Sequence, residues 1–268
     1  LTPAPAPVPG YEDWSFGLEN EDMAPINGDI DAAPADNGGQ TRLVFTPDIP
    51  QGLTRPFQVD VSGGFLDPTG RRVGEHIIIP VRRSTPLIGL RVAPNPAANT
   101  GDVPIPVDLV TLAPDDHPVS IGKLHWSLAR INRIYNWSHA NDTGWTFTSH
   151  TVDVPMRSGD TGTNAQGLAH LSPMLDWGEY RLTANDPASG AATSVRFSVG
   201  WGNASADANT PDRLPLSVRD ATVAPGGGTV IHIGAGFAGQ AQVTLATDRV
   251  ISMQTVDVPR DGVDVPVT

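Results

Sequence analysis

Between Leu87 and Trp201, apolar residues return at every second position in one short run after another, a period that strands produce and helices do not. Leu124, Trp126 and Leu128 share one face, with His125 and Ser127 on the other. Tyr180, Leu182 and Ala184 oppose Arg181 and Thr183, and Val195, Phe197, Val199 and Trp201 oppose Ser194, Arg196 and Ser198. Seven strands are expected here: Gly89–Ala93, Ile105–Leu112, Lys123–Asn132, Thr146–Val154, Gly167–Leu171, Gly178–Asn185 and Thr193–Trp201. The 28 glycines and 26 prolines of the 268-residue chain point the same way, because both residues are costly inside helices and common in the turns between strands.

Seven short strands within residues 87–201 is the pattern of an immunoglobulin-like or fibronectin-like sandwich. Upstream, Leu1–Gly10 is Pro/Ala-rich and extended, Trp14–Leu18 offers a strand, and Glu19–Gly39 reads as a long acidic loop. Strand signals then recur at Arg42–Thr46, Phe57–Ser62 and His76–Arg82, with a Pro/Gly turn at Asp67–Gly70. Residues 1–86 therefore read as the latter part of a sandwich cut at its N-terminal side. Gly202–Pro211 is small and polar, the composition of a linker, and 202–211 is assigned to it. Beyond it, Leu216–Val218, Thr229–Ile233, Gln242–Ala246, Val250–Val258 and a strand beginning near Val263 give 212–268 four or five strands. That is too few for a seven-stranded sandwich: the domain is incomplete, or it leans on its neighbour to cover an open edge. The fold class is all-β, tandem β-sandwich domains, and the chain reads as a fragment of something longer.

A net charge of −12 and a pI of about 4.8 repel a polyanion, which argues against nucleic acid as a partner. No apolar run approaches the roughly 18 residues of a membrane-spanning helix, so direct membrane insertion is not expected. The chain has no cysteine, which excludes a disulfide framework, a thiolate metal site and a cysteine nucleophile within it.

Candidate chemistry is sparse. His76, His117, His125, His139, His150, His170 and His232 form no H-x-H or H-x-x-x-H pair and read as scattered, hydrogen-bonded or solvent-facing side chains. Glu19, Glu21, Asp22, Asp29, Asp31 and Asp36 lack the alternate spacing of a calcium loop and read as a solvated acidic segment. Gly234–Gly239 fits G-x-G-x-x-G, yet strand-like residues follow it, and a phosphate cradle needs a helix N-terminus. Tyr135, Trp137, Trp145 and Trp177 would stack on sugars if exposed on one face, and are core or domain-contact residues if buried. No catalytic residue, cofactor site or metal site is assigned.

Three stretches resemble the bacterial alpha-2-macroglobulin family. Gly236–Leu245, followed by Arg249–Ile251 and Thr255–Pro259, is similar to the family's F-A-G-x-A-x-V-T segment, which opens the domain interrupted by the bait region. Phe197–Trp201 with Asp207 and Thr210–Leu214 is similar to a domain end and linker. Pro86–Arg91, Leu124–Leu128 and Tyr135–Trp137 resemble the preceding macroglobulin-like domain. The resemblance implies macroglobulin-like sandwiches over 1–86, 87–201 and 212–268, the last leading to a bait-containing domain. It implies a non-enzymatic scaffold segment of a broad-spectrum protease inhibitor. Proteases are then partners of the whole protein, and neighbouring macroglobulin-like domains are partners of this segment. It implies a periplasmic or cell-envelope location, with lipid anchoring through an N-terminus outside this chain. The family's Cys-x-Glu-Gln thioester is absent from these residues. Trp201 and the Gly202–Thr210 linker are expected to form an interdomain junction. The competing reading is a tandem immunoglobulin-like module of a surface adhesin or carbohydrate-binding protein, and an enzyme is a third.

Overall fold

A computed structural model describes residues 2–3, 8–22, 24–30, 34–42, 44, 52–66, 69–81, 85–93, 103–140, 144–200, 214, 216–220, 222–234, 238–259 and 262–268. Among these the structure is entirely β, without a helix, and its sheets are arranged as β-sandwich domains. In chain order the first strands are β1 (Thr2–Pro3), β2 (Ser15–Phe16), β3 (Phe57–Leu66) and β4 (Arg72–Val81). The central strands are β5 (Leu87–Val92), β6 (Val103–Pro104), β7 (Val107–Leu112), β8 (Leu124–Ala140), β9 (Gly144–Thr161), β10 (Leu168–Leu171), β11 (Met174–Leu175), β12 (Gly178–Asn185) and β13 (Ala192–Val199). The last are β14 (Leu216–Val218), β15 (Thr229–Ile233), β16 (Gly239–Ala246), β17 (Val250–Val258) and β18 (Val263–Val267). The seven expected central strands are all present, joined by the two-residue pair β6–β11.

Two four-stranded sheets, β10-β7-β5-β2 and β13-β12-β8-β9, face each other in the central sandwich. Ile88 and Leu90 of β5, Val107 and Leu109 of β7, Leu124 and Leu128 of β8, and Tyr180, Leu182 and Ala184 of β12 fill the space between. Each of these side chains is almost fully buried, and apolar burial of this kind contributes roughly 2 kcal/mol per residue.

The first sheet is buried on its other face as well. Val110, Leu112 and Leu87 point away from the sandwich core and are covered by Val8, Tyr11, Trp14 and Phe16. This explains why Val107–Leu112 is buried at nearly every position rather than at alternate ones. Gly89 makes room for the cover, since a Cβ there would lie 2.8 Å from both the Phe16 ring and Val110. β2 then pairs with β5 as an edge strand, Ser15 opposite Leu90 and Phe16 opposite Gly89. The N–H of Ser194 in β13 donates to Gly17 O (3.1 Å), so the same segment reaches both sheets and closes the open side of the sandwich. The packing thus crosses residue 86: Val8–Glu21, grouped by sequence with the preceding sandwich, lies on the central one.

The other strands form smaller assemblies. β3 and β4 make a hairpin with β1 at its edge; Phe57 and Val59 are buried, while Ile77, Ile78 and Ile79 are exposed. Arg42 and Val44 belong to no strand, against the strand expected over Arg42–Thr46, whose other residues lie outside the described ones. β14-β15-β18 and β16-β17 enclose a small core of Ile233, Ala241, Val258 and Val265.

Candidate functional site

The residues singled out for chemistry are dispersed. His117, His125, His170 and His232 each lie beside one aspartate, Asp115 (3.3 Å), Asp160 (2.9 Å), Asp108 (3.0 Å) and Asp264 (2.6 Å) respectively. These four pairs occupy four separate places, and His76, His139 and His150 are exposed on β4, β8 and β9. Among the described residues no group of three or more His, Cys, Asp or Glu is placed to hold a metal ion. Gly239 opens strand β16, so the Gly234–Gly239 match has no helix behind it. Asp36 closes a turn, its Oδ1 accepting from the N–H groups of Gly38 and Gln40 (both 2.9 Å). An open crevice crosses the hairpin between Ser62–Gly64 and Arg72–His76, and all of its lining is exposed.

The acidic residues upstream hold parts of the chain together. Glu21 Oε2 accepts from the Thr54 N–H (2.6 Å) and hydroxyl (2.5 Å). Arg55 donates from Nε to Leu18 O (2.9 Å) and from Nη2 to Glu19 O (2.7 Å). These contacts stitch the start of β3 to the segment lying on the sandwich. Glu19 also approaches the Arg181 guanidinium (3.4 Å), which pairs with Asp153 on its other side. Arg181 is 12% exposed, so this pairing is screened less than an ordinary surface ion pair.

The groups whose ionisation is shifted all move toward their charged forms. Asp108 is held below the usual carboxylate range, first by a hydrogen bond from Arg91 and then by one from His170, against desolvation. Asp160 is lowered by His125 and Lys123, and Arg196 is raised by Glu179. A general acid or base poised near neutrality requires the opposite, a charged form made less favourable. The arrangement is that of structural ion pairs.

The described contact between the central sandwich and the C-terminal strands is aromatic. Trp177, in the turn between β11 and β12, stacks on His232 of β15 with ring centroids 3.9 Å apart and planes 7° from parallel. Of the four aromatic residues read as sugar-stacking or contact groups, Trp177 is thus placed in a contact between units. Nothing in the spacing pairs it with His232, 55 positions on; the only available signal was an isolated Trp just before a strand. The expected junction at Trp201 and Gly202–Thr210 lies outside the described residues.

The described residues form a two-sheet sandwich with an aromatic junction and no cluster placed to hold a metal ion, and known proteins resemble it. Residues 89–201 match the family described as "Bacterial macroglobulin domain 6". That stretch is similar to the domain, and the curated proteins the chain resembles are bacterial alpha-2-macroglobulins. The chain is 27% identical over 224 residues to the alpha-2-macroglobulin of Xylella fastidiosa strain 9a5c, covering 80% of this chain and 13% of that protein. It is 29% identical over 153 residues to that of Escherichia coli K12, covering 55% of this chain and 9% of that one. The solved alpha-2-macroglobulins agree in fold. The native E. coli protein superposes with a TM-score of 0.61 at 22% identity, and the methylamine-reacted Salmonella protein with 0.60 at 23%. Both alignments cover 99% of this chain and 18% of the longer one. The chain spans less than a fifth of the length of the proteins it matches.

Proposed function

We propose that this chain is a non-catalytic scaffold segment of an alpha-2-macroglobulin-like, broad-spectrum protease inhibitor that entraps proteases once a bait segment has been cut. The observation carrying this reading is the match of 89–201 to a bacterial macroglobulin domain, within a fold that superposes along 99% of the chain. The chemistry of the described residues agrees, because their ion pairs and buried polar groups serve packing. The chain's role is then mechanical: sandwiches hold their shape while movement is taken up at their junctions. Neighbouring macroglobulin-like domains are its direct partners, and proteases are partners of the whole protein. The same reading puts that protein in the periplasm or cell envelope.

The test is entrapment by the full-length protein. A protease incubated with it should keep cleaving a short chromogenic peptide while losing activity on a large protein substrate. Retained activity on both, after cleavage of the inhibitor, would remove the reading. The adhesin or carbohydrate-binding alternative needs an exposed aromatic platform, and Trp177 instead has its ring face against His232.

A further inference from the structure

The Trp177–His232 stack joins two parts of the chain that otherwise touch little. Among the described residues, no strand from β2 to β13 packs broadly on any strand from β14 to β18. A small interface between units leaves their relative movement as the default, so the few groups in it set the orientation. The two rings meet face to face, and each is fixed from its own side before they meet.

On the sandwich side, the Trp177 N–H donates to Asp176 Oδ1 (2.7 Å), and its carbonyl accepts from Arg130 Nη2 (3.0 Å). Gly200, at φ +134°, backs the indole so closely that a Cβ there would lie 2.2 Å from the ring. On the other side, His232 is mostly buried, and its Nδ1 is 2.6 Å from Asp264 Oδ1 on β18. The Gly262 backbone lies beside Nε2, where an added Cβ would come within 2.9 Å. The Trp177 backbone is thus held by Asp176 and Arg130, the His232 ring by Asp264, and each ring is admitted by a glycine. Groups fixed in this way lose little side-chain freedom on contact, so a small area suffices to define one geometry.

We propose that Trp177 and His232 form a joint that holds the C-terminal strands in one orientation on the central sandwich. The proposal rests on this contact alone and stands or falls separately from the protease-inhibitor reading.

The absence of cysteine allows clean labelling of the whole chain. Spin labels at Ser158→Cys on β9 and Thr255→Cys on β17, both exposed, report the distance between the units. The otherwise unchanged chain should give one narrow distance distribution. Trp177→Leu and His232→Ala should each broaden it at least twofold, and the double variant should broaden it no further. Trp177→Phe keeps an aromatic face and should restore the narrow distribution. Gly200→Ala, which forces the indole aside with Trp177 still present, should broaden it like Trp177→Leu. Circular dichroism checks that the sandwich is intact in each variant. A narrow distribution in Trp177→Leu or in Gly200→Ala overturns the joint, and so does equal broadening by Trp177→Phe and Trp177→Leu.

Discussion

The hydroxyl of Thr193 lies 3.2 Å from the carbonyl oxygens of both Ser15 and Gly17, bonding an inner position of β13 to a segment 176 residues earlier. Thr193 is fully buried, so its hydroxyl has no water to fall back on. The adjacent residue repeats the tie: the Ser194 N–H donates to Gly17 O, and Ser194 Oγ accepts from the Glu19 N–H (2.8 Å). Two successive residues of one strand thus fasten the early segment to the second sheet.

Thr193→Val keeps the shape of the side chain and removes the donor. Gly17 O keeps its bond from the Ser194 N–H, so losing the Thr193 hydroxyl costs about 0.5–1.5 kcal/mol, which should appear as a lower urea midpoint with an unchanged slope. An unchanged midpoint would show that the Thr193 hydroxyl contributes nothing to the hold of β13 on the early segment.

Phe16 should be a core residue in energetic terms although it lies only two residues from an irregular loop. It is 8% exposed and packs on Val110, Leu112 and the space left by Gly89. Phe16→Ala is expected to destabilise by about 3 kcal/mol, similar to Leu182→Ala in the middle of the sandwich. Thermal unfolding of the two variants side by side measures this, and a far smaller effect at Phe16 would demote the segment to a surface attachment.

Those two positions also show what the sequence reveals. Leu182 sits in a strand whose outer residues are polar, so a period of two marks it as inward-facing, and β12 runs over Gly178–Asn185 as expected. Phe16 sits in a two-residue strand among turn-forming residues, where no period can be read. Its burial depends on contacts with Val110 and Leu112, about ninety residues later, and local pattern carries no information about them. β8 and β9 were underestimated for a related reason. They run to Ala140 and from Gly144, beyond the expected Asn132 and before the expected Thr146. Past Ile131, Ile134, Asn136, Ser138 and His139 of β8 are exposed, and without a buried face among them the alternation that signals a strand is weakened. The family resemblance was legible because it rests on residue identities within single strands, at Leu124–Leu128 of β8 and Gly239–Leu245 of β16, and needs no contact between distant residues. The Trp177–His232 contact was not, since a stack between units leaves no mark in either unit's own pattern.

Acid should loosen the outer face of the first sheet. Asp108 has a depressed carboxyl through Arg91 (2.7 Å) and then His170, beside the Trp14 ring on which Arg91 rests at 4.7 Å. A folded-state value below the unfolded one, about 3.9, gives stability that is fully present above that pH and is lost as pH falls through the depressed value. The melting temperature should therefore fall more steeply below about pH 4 in the native sequence than in Asp108→Asn, which lacks the titrating group. Parallel pH profiles would mean that the Arg91 pair does not contribute.

Gly17 marks where the early segment must turn to meet both the sandwich and the start of β3. Its φ is +79°, and a Cβ would lie 2.5 Å from Arg55 Cγ and 2.6 Å from Arg55 Cα. An alanine there meets two penalties at once: the left-handed conformation costs a residue with a Cβ roughly 1–2 kcal/mol, and Arg55 has to withdraw. Withdrawal breaks the bonds from Arg55 to Leu18 O and Glu19 O, and with them the alignment of Glu21 on Thr54. Gly17→Ala is therefore expected to raise amide exchange at Thr54 and Arg55 by at least tenfold while leaving Leu124, Leu128 and Leu182 protected. If exchange rises throughout the sandwich instead, the segment belongs to the folding core; if it rises nowhere, Arg55 does not bind the two parts together.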